Sequence, residues 1–377
     1  GRLLQRVGVR AGREGEGAPG VMQMTEFLSN MGDGRRFYTT KEKVMADIQD
    51  GIGNAVDCTG VSELSSSEID HICEIIINKQ RVVGVETGSE VVMTEDFGAN
   101  RFGIDNGTCG NGIEIGRREG SLIFEKAFSM DTFELGHTDY SVKAVKPIIA
   151  HEMQTMEQLQ MLMTVPLLYG AMPNMGLYYK PDGPYGNPPD LMREFKIEEA
   201  QQQAELAAEH VARDCEFVAV KLQEAGCDGF DFDTTASAGD GEFVGTLKAV
   251  SALRKARPEA NIIMGMAGEN ILGIHGSIEY DGTVVAGLYP HEQVKLAEKA
   301  GVNVFGPVVN TNTSKSTAWN IARAVTITKE CIKTAKIPCH PNMGMGVGGI
   351  PMSEVPPVEA ATRASKAMIE IAGADGI

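Results

Sequence analysis

Short segments rich in Val, Ile and Phe alternate with amphipathic stretches from about Met130 onward, and this rhythm predicts an α/β fold, a (β/α)8 TIM-type barrel. Two further observations support it. The alternation supplies six complete strand–helix units and the opening of a seventh strand, more than a single βαβ motif needs. The longest loops, rich in Tyr, Pro and Gly, each follow a strand, as they do where barrel loops build a site.

The units follow in order. Asp131–Gly136 reads as a strand, and Lys146–Leu162 as a helix with Pro147 in its first turn. Thr164–Gly170 is a strand and 196–225 a long helix. Cys227–Asp233 is a strand, followed by a helix at 242–256; Asn261–Met266 is the next, followed by a helix at 290–300. Between those last two, Asp281-Gly282 marks a hairpin turn. Val302–Gly306 is a strand before a helix at 316–334 with Ser316 or Thr317 as N-cap. Ile337–Met343 is the sixth strand and 357–372 its helix, closed by Gly373 as C-cap. Ala374–Ile377 then opens a seventh strand, so the barrel is expected to be incomplete at the C-terminus of this sequence.

Residues 24–128 show no such rhythm beyond helices at 41–53 and 66–79 and alternating segments around 81–95, and they are expected to form an irregular N-terminal cap on a barrel spanning 129–377. Residues 1–23 lack an initiator Met and an apolar core, and they read as a flexible extension before a start at Met24. The formal net charge of −17 argues against nucleic acid or anionic lipid as a partner. No apolar run reaches the length of a membrane span. The 7 cysteines are scattered and odd in number, which fits free thiols in the cytoplasm better than a disulfide framework.

Strand periodicity places the candidate chemistry. Asp231 and Asp233 share one face of their strand while Phe230 and Phe232 share the other. The phenylalanines suit the layer under the helices, so both carboxylates point into the barrel, where burial demands a partner or a task. The same argument turns Glu134 inward, and puts His340 and Asn342 on one face of their strand. Glu269 lies just past Asn261–Met266, with Tyr169, Asn310 and Asn312 at neighbouring strand ends. A site so rich in acids and amides, and poor in Lys and Arg, is expected to prefer a cation or amine. The run Gly344-Met-Gly346-Val-Gly348-Gly349 matches a dinucleotide fingerprint in spacing. Pro351, Pro356 and Pro357 delay the helix that a fingerprint must open, so a loop facing a large ligand is expected instead. Cys339 and His340 with Cys331 have only weak metal-ligand spacing, and no metal is assigned.

Seven stretches together resemble one family, the pyrrolysine-containing dimethylamine:corrinoid methyltransferases of methanogenic archaea. They are MGDGRRFY, MDTFELGHTDYS, YGAMPNMGLYYKPDGP, FDTTASAGD, GPVVNTNTSKS, PCHPNMGMGVGGIPM and TRASKAMIEIAGADGI. The resemblance implies methyl transfer from dimethylamine to the Co(I) corrinoid of a cognate corrinoid protein, in methanogenesis, with no tightly bound cofactor of its own. It also implies pyrrolysine directly after Ile377, at an amber codon, so that the short chain alone is expected to be inactive. The expected partners are that corrinoid protein, dimethylamine and further copies of the chain. It assigns no roles to the acids, so Glu269, Asp231 and Asp233 as catalytic groups rest on strand geometry. Two alternatives are a zinc-dependent corrinoid methyltransferase using Cys339 and His340, and a non-catalytic fragment that only binds the corrinoid protein.

Overall fold

The computed structural model describes residues 26–91, 175–224, 229–273, 276–353 and 356–377, and four short strands between 92 and 174. It opens with a hairpin that periodicity did not reveal: β1 (Glu26–Asn30) pairs antiparallel with β2 (Arg36–Thr40) around the turn Met31-Gly-Asp-Gly. Thr40 then caps α1 (Lys41–Thr59) by accepting from the Lys43 amide, and Gly60, at φ 71°, ends it. Ser65 and Glu68 form a capping box at the start of α2 (Ser66–Ile77). Of the segments expected to alternate around 81–95, residues 81–91 form no strand and the rest lie outside the described residues. Next come β3 (Arg101–Phe102), β4 (Ile113–Glu114), β5 (Phe133–Glu134) and β6 (Leu167–Ala171). The helix expected over 146–162 lies outside the described residues.

Beyond β6, a 3-10 turn (Met175–Tyr178) leads to α3 (Pro188–Arg193) and the long α4 (Ile197–Glu224). Then follow β7 (Gly229–Thr235), α5 (Asp240–Ala256) and β8 (Asn261–Met266). The hairpin β9 (Glu279–Tyr280) and β10 (Thr283–Val284) turns at Asp281-Gly282, both with positive φ, as a two-residue turn between twisted strands requires. After it come α6 (Pro290–Ala300), β11 (Val304–Gly306), α7 (Thr317–Thr334) and α8 (Val358–Ala367). Ser316 caps α7 through the Trp319 amide. A π turn (Met368–Ala372) continues α8 to Gly373, whose φ of 78° ends the helix.

Five strands form one parallel sheet in the order β11-β8-β7-β6-β5, so each new strand joins beside the last. The sixth position is thinner than expected. Around it, Phe305 donates to the Pro338 carbonyl, His340 donates to Phe305 and Asn342 donates to Pro307, but only Cys339 is bridged to Phe305. Pro338 and Pro341 have no N–H to offer, which leaves a paired edge in place of a full strand. Asp375 takes the seventh position, donating its amide to the Cys339 carbonyl and accepting the Cys339 amide on Oδ2.

Two apolar clusters hold the fold. Phe230, Phe232, Ile262, Met264 and Phe305, all fully buried, pack under α4, α5 and α6. The second cluster joins α1 and α2 to α7 and α8 through Ile48, Ile72, Ile321 and Ala364. The N-terminal helices therefore cover the last two helices of the α/β region, burying apolar faces that would otherwise meet water.

Candidate active site

The alternation along β7 is as strand periodicity requires. Phe230 and Phe232 stack edge to face in the outer layer, ring centroids 4.9 Å apart, and Asp231 and Asp233 fall on the opposite face. Their carboxylates converge over the next strand. A Cβ at Gly265 would lie 3.3 Å from Asp233 Oδ1 and 4.0 Å from Asp231 Oδ1, so a side chain here would crowd the Asp233 carboxylate. Asp231 is 8% exposed. Directly after Asp233 the backbone is strained: Thr234 and Ala236 have φ of 51° and 68°, with a register shift between Phe232 and Thr235. A β-branched residue in the left-handed region costs of order 1–3 kcal/mol and persists where the surroundings enforce it, commonly at a site. Here the Thr234 amide donates to Asp233 Oδ1 at 2.7 Å, which couples the strained turn to the carboxylate.

Glu242, which periodicity did not single out, anchors the same turn. It is fully buried and accepts from the Ser237 hydroxyl, the Ala238 amide and, from the loop after β6, the Met175 amide. Burial pushes its carboxyl up to about 7, against the opposing pull of those hydrogen bonds.

Glu269 has partners of its own and is not an open base. Both its oxygens meet the guanidinium of Arg323 on α7 at 2.7 Å, and Oε2 also accepts the Asn310 amide at 3.1 Å. The Arg323 side chain is 9% exposed. Its burial opposes the charge, but the bonds and attraction of Glu269 outweigh that and raise its pKa further. Arg323 also donates to Asn54 on α1 and lies 5.9 Å from the Trp319 ring. A cavity of about 390 Å³ opens here, lined by Asp50, Asn54, Glu269, Asn310, Thr311, Asn312, Lys315, Trp319 and Arg323. The expectation of a site poor in Lys and Arg is thus corrected: both enter from the α7 side, remote in sequence from Glu269.

Of the other expected residues, Asn310 and Asn312 line that cavity. His340 and Asn342 sit on the paired edge beside β11, and Asn342 is exposed. Glu134 and Tyr169 occupy positions on β5 and β6, and their side chains lie outside the described residues. The glycine loop folds back on Val309 and Thr311, with Gly346, Gly348 and Gly349 at positive φ. A Cβ at these three would strike Met352, Met343 and Ile321, so packing alone accounts for them, while Gly344 faces open space. No group of three His, Cys, Asp or Glu among the described residues converges as metal ligands. Cys331 donates to the Pro290 carbonyl, and burial raises its thiol pKa, which disfavours the thiolate a metal needs.

No helix among the described residues is long and apolar enough to cross a membrane. Among solved structures the chain is similar to the carboxyl transferase domain of Rhizobium etli pyruvate carboxylase, at 13% identity and TM-score 0.38, covering 77% of this chain and 39% of that one. It is also similar to a dihydropteroate synthase from Xanthomonas albilineans, at 15% identity and TM-score 0.35, covering 76% of this chain and 86% of that one. The chain spans 39%, 44% and 51% of the length of three carboxyl transferase chains it matches. The model of the dimethylamine methyltransferase family matches residues 25–377, nearly the whole sequence, and the chain belongs to that family.

Proposed function

We propose that this protein transfers a methyl group from dimethylamine to the Co(I) corrinoid of a cognate corrinoid protein in the cytoplasm, leaving monomethylamine and methyl-Co(III). The observation that carries the reading is the carboxylate pair of Asp231 and Asp233 over Gly265, in a chain of the dimethylamine methyltransferase family. In this reading the wall closes as an eight-stranded barrel capped by 24–128, and pyrrolysine follows Ile377.

The substrate amine has a pKa near that of Lys, about 10, so it arrives as a cation without a free lone pair. Asp231 and Asp233 supply the compensating charge, and one of them accepts the ammonium proton as the amine is activated. The methyl then leaves as a formal cation: its C–N bond breaks with the electron pair staying on nitrogen, the protonated carboxyl returns its proton to that nitrogen so that neutral monomethylamine departs, and Co(I) supplies the two electrons of the new C–Co bond. The strained turn held by Glu242 fixes Asp233 before substrate arrives, so orientation is not lost to loop motion. Glu269, neutralised by Arg323, is not the base in this reading. Asp231→Asn and Asp233→Asn in the full-length protein each reduce cobalt methylation by about 10²–10⁴-fold, the usual loss for a general base. Unchanged rates in both would overturn this assignment.

A further inference from the structure

The cavity between α1, the start of α7 and the loops after β8 and β11 does not suit the amine. Its four charged side chains are already matched within the protein: Glu269 with Arg323, and Asp50 with Lys315 at 2.9 Å. Asp50 Oδ2 also accepts the Trp319 indole N–H at 2.7 Å. A further cation or anion would therefore find no uncompensated partner there, and each would meet a like charge.

The three asparagines decide what is left. Asn54 Oδ1 accepts from Arg323 Nε, Asn310 Oδ1 from the Glu269 amide, and Asn312 Oδ1 from the Ser314 amide. Each of those partners can only donate, so the amide orientations are settled by chemistry. The remaining end of every one of these side chains is an NH₂ group. Among the described residues no protein acceptor takes any of the three, and all three residues line the cavity. Thr311 Oγ1, in the same wall, is buried without a partner. The lining is thus neutral overall, offers several donors, and has a hydroxyl able to accept an N–H.

We propose that this cavity is a binding site for a neutral carboxamide ligand, whose carbonyl oxygens take the asparagine NH₂ groups and whose own N–H reaches Thr311. Its volume of about 390 Å³ suits a small molecule or a carboxamide arm of a larger one. Neither Asp231 nor Asp233 is among its lining residues, and its open donors do not suit an alkylammonium. It goes beyond the methyl-transfer reading and stands without it.

Three isosteres test it by titration into the full-length protein, followed by calorimetry or ligand-detected NMR: propionamide, propionate and propylammonium. Propionamide is expected to bind at least tenfold more tightly than either ion, and dimethylammonium is expected not to displace it. An Asn54→Asp, Asn310→Asp, Asn312→Asp variant keeps every oxygen that the fold uses and replaces each open donor with an acceptor. In that variant propionamide affinity falls at least tenfold and propylammonium becomes the preferred ligand. The single Asn312→Asp variant, at an exposed position, gives a smaller shift in the same direction if the triple variant folds poorly. Propylammonium binding the unaltered protein as tightly as propionamide, or variants that leave propionamide binding unchanged, would overturn the proposal. Neither readout uses methyl transfer, so its failure and failure of the proposed function are separately visible.

Discussion

Replacing Glu269 with Gln tests the ion pair that joins β8's loop to α7. Gln keeps the shape and one acceptor oxygen, but it removes the charge and points an NH₂ group at a guanidinium that can only donate. Arg323 would then be a cation with a 9% exposed side chain and no counter-charge. Breaking one side of a buried pair costs about 3–5 kcal/mol. The low end applies because the cavity admits water to one side of the pair. A chain of 377 residues has an unfolding entropy of about 0.8 kcal/mol/K, so about 3 kcal/mol lowers Tm by about 4 °C. Arg323→Met alone leaves the carboxylate stranded and destabilises similarly. The double variant Glu269→Leu with Arg323→Met removes both charges and recovers most of the loss, because an apolar pair of similar volume needs no desolvated counter-ion. Differential scanning calorimetry of the unaltered protein, Glu269→Leu, Arg323→Met and the double variant gives the coupling directly, with Glu269→Gln measured beside them. Additive losses in the double variant, or a Tm unchanged in Glu269→Gln, would show that the two charges do not depend on each other.

Gly265→Ala places a methyl 3.3 Å from Asp233 Oδ1, so methyl transfer falls by about tenfold or more while Tm changes little; equal losses in both would mark a folding defect instead. Gly32→Ala sets a Cβ 2.0 Å from the Asn312 carbonyl oxygen, which undocks the β1–β2 turn from the loop before α7 and destabilises by about 2 kcal/mol or more, read by urea unfolding. Glu242 contributes a pH dependence of defined sign. Its folded pKa of about 7 exceeds the ordinary 4.5, so its contribution is fully favourable below about 4.5 and is lost as pH rises through 7, a change on the order of 3 kcal/mol. Glu242→Gln removes that dependence, and its stability relative to the unaltered protein improves as pH rises from about 5 to 8. A constant difference across that range contradicts the assignment.

Elements with strong local signals were legible. The strand Asn261–Met266, the helix beginning at Pro290, the Asp281-Gly282 turn and the Ser316 cap all lie where apolar period and turn chemistry place them. The inward face of Asp231 and Asp233 followed from two phenylalanines, because a period of two leaves no other arrangement. The β1–β2 hairpin was missed since its turn is Met-Gly-Asp-Gly, longer than a two-residue signal, and only part of each strand is buried. The segment at 337–343 looks like a strand by composition, but its prolines leave a single bridge. Arg323 was invisible for a different reason: it sits among apolar residues of α7, and its partner Glu269 is 54 residues earlier. Only tertiary packing brings them together, and the same packing turns an expected base into half of an ion pair.

Following both products of one turnover tests the proposed methyl transfer. Full-length protein is mixed with its corrinoid protein held as Co(I), and dimethylamine is added. Methyl-Co(III), read by absorbance, and monomethylamine, read by chromatography, are expected to appear in equal amounts, with monomethylamine itself giving no cobalt methylation. Cobalt methylation without monomethylamine, or none in protein whose Tm shows it folded, would contradict methyl transfer from dimethylamine to cobalt.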